Sequence, residues 1–119
     1  MVSLRTNNLF SRDRRLTGRE NFLRIQRSSK GFKTKNFIVR YEKNQESTAR
    51  YGLTVSKRVG NAVARNRVKR CLREAIRINS SKELGVNVVF IAKGSAREVS
   101  FSVMEEEVCF VLTKLGLRS

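Results

Sequence analysis

Histidine is absent from this chain of 119 residues. That excludes His-based acid/base catalysis and every zinc site that needs a histidine ligand. Carboxylates are scarce, 10 Asp+Glu against 26 Lys+Arg, and no two of them stand where two-metal chemistry would need them. The one acidic cluster, Glu105-Glu106-Glu107, is expected at the start of a helix, where the macrodipole favours negative charge, and reads as a solvated first turn. No catalytic residue and no metal ligand is therefore expected, and the protein alone does not read as a hydrolase. The only cysteines, Cys71 and Cys109, each fall on the apolar side of an expected helix. Small buried hydrophobes fit them better than a disulfide or a metal site. No apolar run approaches the ~20 residues of a membrane-spanning helix, and the first residues lack the apolar core of a signal peptide. A cytoplasmic protein with no membrane partner and no small-molecule ligand is expected. Proline, internal repeats and low-complexity tracts are also missing. With 39% hydrophobic residues the chain can build one modest core, so residues 1–119 are read as a single domain.

What is present is positive charge, and it is segregated. Residues 1–77 hold 21 of the basic and 5 of the acidic residues, hence the whole net charge of +16, whereas residues 78–119 hold five of each. A randomly solvated surface would not divide this way. The first two-thirds carries the electrostatic footprint of a polyanion-binding protein, and the last third reads as scaffold.

Residues 1–15, with Arg5, Arg12, Arg14 and Arg15, read as a loosely ordered basic arm. Thr17 and Glu20 have capping-box spacing, which predicts a short helix to about Arg27 with Phe22 and Ile25 on one face. The segment 37–41 alternates, with Phe37, Val39 and Tyr41 on one side and Ile38 and Arg40 on the other. The segment 51–56 alternates again, and the two are expected to pair as an antiparallel hairpin. Residues 61–78 read as the longest helix. At ~100° per residue, Ala64, Val68, Cys71, Leu72, Ala75 and Ile76 form an apolar stripe. Asn66, Lys69, Arg70, Arg73 and Arg77 face the other way, with Arg65 and Arg67 on the flanks. Residues 86–92 are β-branched and nearly all apolar, as an interior strand covered on both faces would be. A last helix is expected to start at Ser102, capped with Glu105 and closed by Gly116. The order is α-β-β-α-β-α, an α+β sandwich with a small mixed sheet and a β-α-β crossover.

The informative stretch runs from Lys57 to Arg70, KRVGNAVARNRVKR. It is a strand end, a glycine-containing turn and a helix with a cationic outer face. The turn and the helix N-terminus offer backbone N–H groups to phosphate. Arginine forks suit phosphate oxygens and can lie on a base, and an amide such as Asn66 can bond a 2′-OH or a base edge. A helix built for solubility would mix charge signs. From Lys57 to Arg77 there are eight basic residues and one acidic residue, Glu74. Charge alone does not choose between DNA and RNA.

This run, with Arg65-Asn66-Arg67 at its centre, resembles the signature of the bacterial ribonuclease P protein family, and the order of the flanking elements agrees over essentially the whole chain. The resemblance implies a subunit that partners the catalytic RNA of an endoribonuclease. The RNA, with Mg²⁺ bound mainly by itself, removes the 5′ leader of precursor tRNA. It implies that Lys57, Arg58, Arg65, Asn66, Arg67, Lys69, Arg70 and Arg73 face the catalytic RNA. It also implies that a cleft between the sheet and the first helix holds the leader, through Phe22, Phe37, Arg40 and Tyr41. Phe37 suits a core face equally well, given its alternation with Val39 and Tyr41. Two positions depart from the family, Gln26 and Arg40, where some members carry aromatics. The family's β-α-β crossover is left-handed, against the general preference for the right-handed form. A ribosomal RNA-binding protein fits the charge and size as well, and only the Lys57–Arg70 run separates the two. For a DNA-binding architectural protein the chain lacks an obvious minor-groove wedge, and for a stand-alone nuclease it lacks the acid/base residues.

Overall fold

The computed structural model describes residues 19–27 and 30–119, with side chains from Leu23 onward. The basic arm and the Thr17 capping box lie outside them. The chain runs α1 (Arg19–Gln26), β1 (Gly31–Lys33), β2 (Phe37–Lys43), β3 (Arg50–Thr54), α2 (Ala62–Asn79), β4 (Val86–Ala92), a 3₁₀ turn (Gly94–Glu98) and α3 (Phe101–Leu115). It is an α+β fold around one four-stranded mixed sheet in the order β1-β2-β4-β3.

The expected hairpin between the second and third strands is not formed. β4 lies between them, antiparallel to β2 and parallel to β3. The reason is burial. β4 is apolar on both faces, and its backbone groups are satisfied only with a neighbour on each side. Loop 44–49 therefore straddles the start of β4 instead of turning tightly. Asn44 N–H donates to the Gly85 carbonyl at 2.9 Å and Ala49 N–H donates to Glu83 at 3.2 Å. The loop passes so close that a Cβ on Gly85 would lie 2.0 Å from the Glu46 carbonyl oxygen. β3, α2 and β4 make the expected β-α-β unit. β1 is a three-residue edge strand on β2, too short to carry a readable periodicity.

The sheet has two unlike faces. Phe37 and Val39 of β2, Tyr51 of β3 and Val86, Val88, Phe90 and Ala92 of β4 are buried with Val68, Leu72, Ala75 and Ile76 of α2 and Met104, Val108, Val111 and Leu112 of α3. The opposite face carries Val89 and Ile91, covered by Ile25 of α1. The apolar stripe expected on α2 is thus the one that packs, although Ala64 and Cys71 are only half-buried.

One helix end corrects the sequence reading. α3 is capped by Ser100, which accepts from Val103 N–H at 3.3 Å, so Ser102 lies inside the first turn. The glutamates then fall past that turn and are not a solvated cluster. Glu105 accepts from the buried Asn79 amide at 3.0 Å, and Glu107 accepts from both the backbone (2.9 Å) and the side-chain amide of buried Asn36. Only Glu106 is exposed. A carboxylate one turn further in finds donors on neighbouring elements, which helix spacing cannot foresee. Gly116, with φ of 81°, closes α3 in the left-handed region as expected. Both cysteines are free and half-buried, and Cys109 Sγ donates to Asn79 Oδ1 at 3.0 Å.

Candidate RNA interface

The turn that launches α2 is built by its own hydrogen bonds. Val59 N–H donates to the Ser56 carbonyl at 3.0 Å, Gly60 N–H to the Lys57 carbonyl at 3.1 Å, and Arg58 N–H to Ser56 Oγ at 3.3 Å. Asn61 then caps the helix by accepting from Ala64 N–H at 2.9 Å. These donors are spent inside the protein, so the expectation that the turn offers its backbone N–H groups to phosphate does not hold for them. The turn instead sets direction. Gly60 takes φ of 148°, a conformation that L side chains rarely adopt, and a Cβ there would meet Ala64 Cβ at 3.0 Å and Arg97 Cδ at 3.4 Å. Arg97, from the 3₁₀ turn, thereby joins Lys57 and Arg58 at the start of α2. Its position in the sequence gave no sign of this, because it follows β4.

Beyond the turn, helical spacing places Asn66, Lys69, Arg70 and Arg73 on one stripe. Lys57, Arg58, Asn66, Arg67, Arg70 and Arg73 are exposed, and Arg65 and Lys69 are half-buried. Among the described residues no carboxylate forms an ion pair with any cation from Lys57 to Arg73. One of these side chains is partly committed, and another is partly buried. Arg67 donates to the Val99 carbonyl at 2.9 Å, tying α2 to the segment before α3. Arg65 has its Nε buried with no hydrogen-bond partner. Arg77 drops out of the cationic face, because Glu74 one turn back takes its guanidinium; the hydrogen bond from Arg77 is what lowers the Glu74 pKa. Val63, 78% exposed, stands at i−3 and i−4 to Asn66 and Arg67 and puts an apolar spot within the face. Its offset from the apolar stripe was readable in the helical spacing.

The second group of expected residues divides between the two sheet faces. Arg40 lies on the α1 face. Its stem and guanidinium cross Gly31, where a Cβ would meet Arg40 Cδ at 2.9 Å, and its Nε is buried without a hydrogen-bond partner. Phe37 and Tyr41 point the other way, a correction to the grouping of these residues in one cleft. Phe37 is fully buried and meets Phe90 edge-on, 6.3 Å between centroids at 84°, so it has no free ring face for a base. Tyr41 packs on Phe32 at 6.3 Å. The cause is the period of two along a strand: residues 37, 39 and 41 share the core face, and residue 40 cannot join them. Phe22 belongs to α1, but its side chain lies outside those described.

α1 is anchored by a polar network beside its apolar contact. Arg24 Nε donates to Glu42 at 3.2 Å, with a second contact through the guanidinium. Asn87 donates to Glu42 at 3.2 Å and accepts from Asn44 at 3.0 Å. The hydrogen bond from Arg24 is the main reason Glu42 stays ionised below the usual carboxylate range; partial burial opposes it and Asn87 supports it. Gln26, one of the two departures, accepts from Thr54 Oγ1 at 2.6 Å and so holds α1 to the end of β3.

The comparisons with known proteins agree with this geometry. Residues 10–116 match the family model described as Ribonuclease P. The ribonuclease P protein component of Geotalea uraniireducens is 36% identical over 106 residues, covering 89% of this chain and 94% of that one. Among solved structures, a Staphylococcus aureus RNase P protein mutant with defective mRNA degradation activity superposes with a TM-score of 0.82 at 28% identity, covering 96% of this chain and 98% of that one. The RNase P protein of Thermotoga maritima gives 0.74 at 30% identity, covering 84% and 96%. A basic helix launched from a Gly60 turn, on a β1-β2-β4-β3 sheet shared with these proteins, places the chain in the bacterial ribonuclease P protein family, as a protein component of the ribonucleoprotein that processes tRNA.

Proposed function

We propose that this component binds the catalytic RNA through the outer face of α2 and holds the 5′ leader of precursor tRNA on the α1 face of the sheet, while the RNA carries out the hydrolysis. The observation that carries the first half is the stripe of cations on α2 without a carboxylate partner among the described residues. Such a face is costly to keep next to itself and is relieved by a phosphate backbone. Arg65, Arg67, Arg70 and Arg73 would make forked contacts to phosphate oxygens, and Asn66 would reach a 2′-OH or base edge. Lys57, Arg58 and Arg97 would extend the contact around the start of the helix.

For the leader, Arg40 is the residue whose chemistry fits best, with Phe22 as the aromatic partner implied by the family. A cation held flat against the sheet can pair with phosphate or lie on a base whatever the sequence, as an enzyme acting on many precursors requires. Tyr41 and Phe37 are left out of that contact. Mg²⁺ is assigned to the RNA. Cytoplasmic work on precursor tRNA follows from the same reading. No described helix is long and apolar enough to cross a membrane.

The test is cleavage of a 5′-labelled precursor tRNA by the catalytic RNA of the same organism, at low Mg²⁺, with and without the protein. Restored cleavage at the mature 5′ end, and none by the protein alone, is the expected result. Absence of both binding and stimulation would redirect the search to ribosomal RNA.

A further inference from the structure

The core side of the sheet ends, at its β1 edge, in a group of aromatic rings that the α2 and α1 surfaces do not use. Phe32 of β1 meets Phe110 of α3 edge-on, 6.4 Å between centroids at 86°, and Tyr41 lies 6.3 Å from Phe32 on the other side. Phe110 is 55% exposed. The Lys114 ammonium stands over this group, 4.9 Å from the Phe32 centroid and 5.7 Å from that of Phe110, and forms no ion pair among the described residues. Past Tyr41 the surface continues into an apolar pocket of about 300 Å³, lined by Leu84 and Leu115 with Lys43 at its side.

A single exposed phenylalanine is unremarkable on a protein surface. This one comes with a second ring, a tyrosine, a pocket and two lysines. Rings with cations beside them are how proteins hold unpaired nucleotides: the rings take bases and the ammonium groups take phosphates. One carboxylate, Glu106, lies a turn before Phe110 and is exposed, which directs an anionic strand toward Lys114 and β1. A protein partner fits less well, since a stable interface needs on the order of 1,000 Å² and the rings here are bordered by charge.

Position selects the strand. β1 is the outermost strand of the sheet. Gly31, under Arg40, faces the α1 side, and the next residue, Phe32, faces the opposite side. One strand's width therefore separates Arg40 from the aromatic group. We propose that the precursor tRNA leader, where it is long enough, passes from Arg40 over the β1 edge and stacks an unpaired base on Phe110, with Lys114 on the adjoining phosphate. This rests on the leader occupying the α1 face, and it makes leader length a determinant of affinity.

The experiment uses the reconstituted holoenzyme and three RNAs: mature tRNA, a precursor whose leader only fills the α1 face, and one several nucleotides longer. Phe110→Ala should weaken binding of the extended precursor about tenfold and leave the short one unchanged. Phe110→Tyr should restore it, and Lys114→Gln should lower the salt dependence for the extended precursor alone. If both precursors bind better than mature tRNA and Phe110→Ala affects neither, the edge contact is overturned and the α1 reading stands. If the wild-type holoenzyme does not distinguish precursors from mature tRNA, the α1 reading fails and this one with it. A change in sedimentation of the free protein on Phe110→Ala, with leader affinity unaltered, would assign the rings to contact between copies.

Discussion

The outer face of α2 and the α1 face of the sheet are both polar surfaces of one small protein, yet they are organised in opposite ways. On α2 and the turn before it the cations from Lys57 to Arg73 stand without carboxylate partners among the described residues, on a helix fixed underneath by Val68, Leu72, Ala75 and Ile76. On the α1 face the polar groups satisfy one another: Arg24 with Glu42, Glu42 with Asn87, Asn87 with Asn44, Gln26 with Thr54. On the proposed reading, the first surface would bind by unbalanced charge and rigid placement. The second keeps its charge internally, and Arg40 is the cation there with an unpartnered Nε. A polyanion should thus feel the two differently, α2 through salt-dependent phosphate contacts and the α1 face through fit.

The sharpest way to break this contrast is on α2. Arg65→Ala with Arg70→Ala should weaken binding to the catalytic RNA by at least about a hundredfold, given roughly 1.5–3 kcal/mol for each charge-assisted contact. It should also lower the log–log salt slope by about two. Filter binding across a salt series measures both, and an unchanged slope would mean that the helix faces away from the RNA. On the other surface, Ile25→Ala empties a fully buried site against Val89 and should cost about 2–4 kcal/mol in urea unfolding. The same change should erase discrimination between precursor and mature tRNA while leaving the salt slope for catalytic RNA intact. Loss of both would show that the surfaces are not independent. Arg40→Met keeps the stem across Gly31 and removes the charge. Precursor affinity should fall severalfold, about 1 kcal/mol, with catalytic-RNA binding unaltered.

The smallest effect concerns acid. Glu42 titrates below the usual carboxylate range, chiefly because Arg24 donates to it. A lowered folded-state pKa means that its stabilisation is present above the ordinary carboxylate pKa and is lost as pH falls through the lowered one. Amide hydrogen exchange in α1 should therefore quicken across that acidic window, and Glu42→Gln should flatten the dependence. Glu74, lowered by Arg77, titrates in the same direction on α2, and Glu74→Gln should leave α1 exchange as it was. If both substitutions change α1 exchange alike, the Arg24–Glu42 pair is not its anchor.

Much of this was legible before any coordinates. Helical spacing separated Val68, Leu72, Ala75 and Ile76 from Asn66, Arg70 and Arg73, because a helix of known pitch sorts its residues by face whatever it packs against. The nearly all-apolar run 86–92 announced a strand covered on both sides, and the run from Lys57 to Arg70 pointed to the family. Strand alternation also separated Arg40 from Phe37 and Tyr41, although the family resemblance grouped all three in one cleft. Partners distant in sequence were not legible. Local pattern favoured a β2–β3 hairpin, and the burial demand of β4 overruled it. Likewise Glu105 and Glu107 found Asn79 and Asn36, Arg97 came to lie beside Gly60, and Phe32 met Phe110 across the edge of the sheet. The sequence by itself determined which elements form, which face of each is apolar and where the charge is concentrated, since those depend on neighbours within a turn or a strand. Which strands pair, which carboxylates are consumed by internal amides and which rings meet at the surface were decided only by the tertiary structure, because each depends on groups brought together by the packing of the whole core.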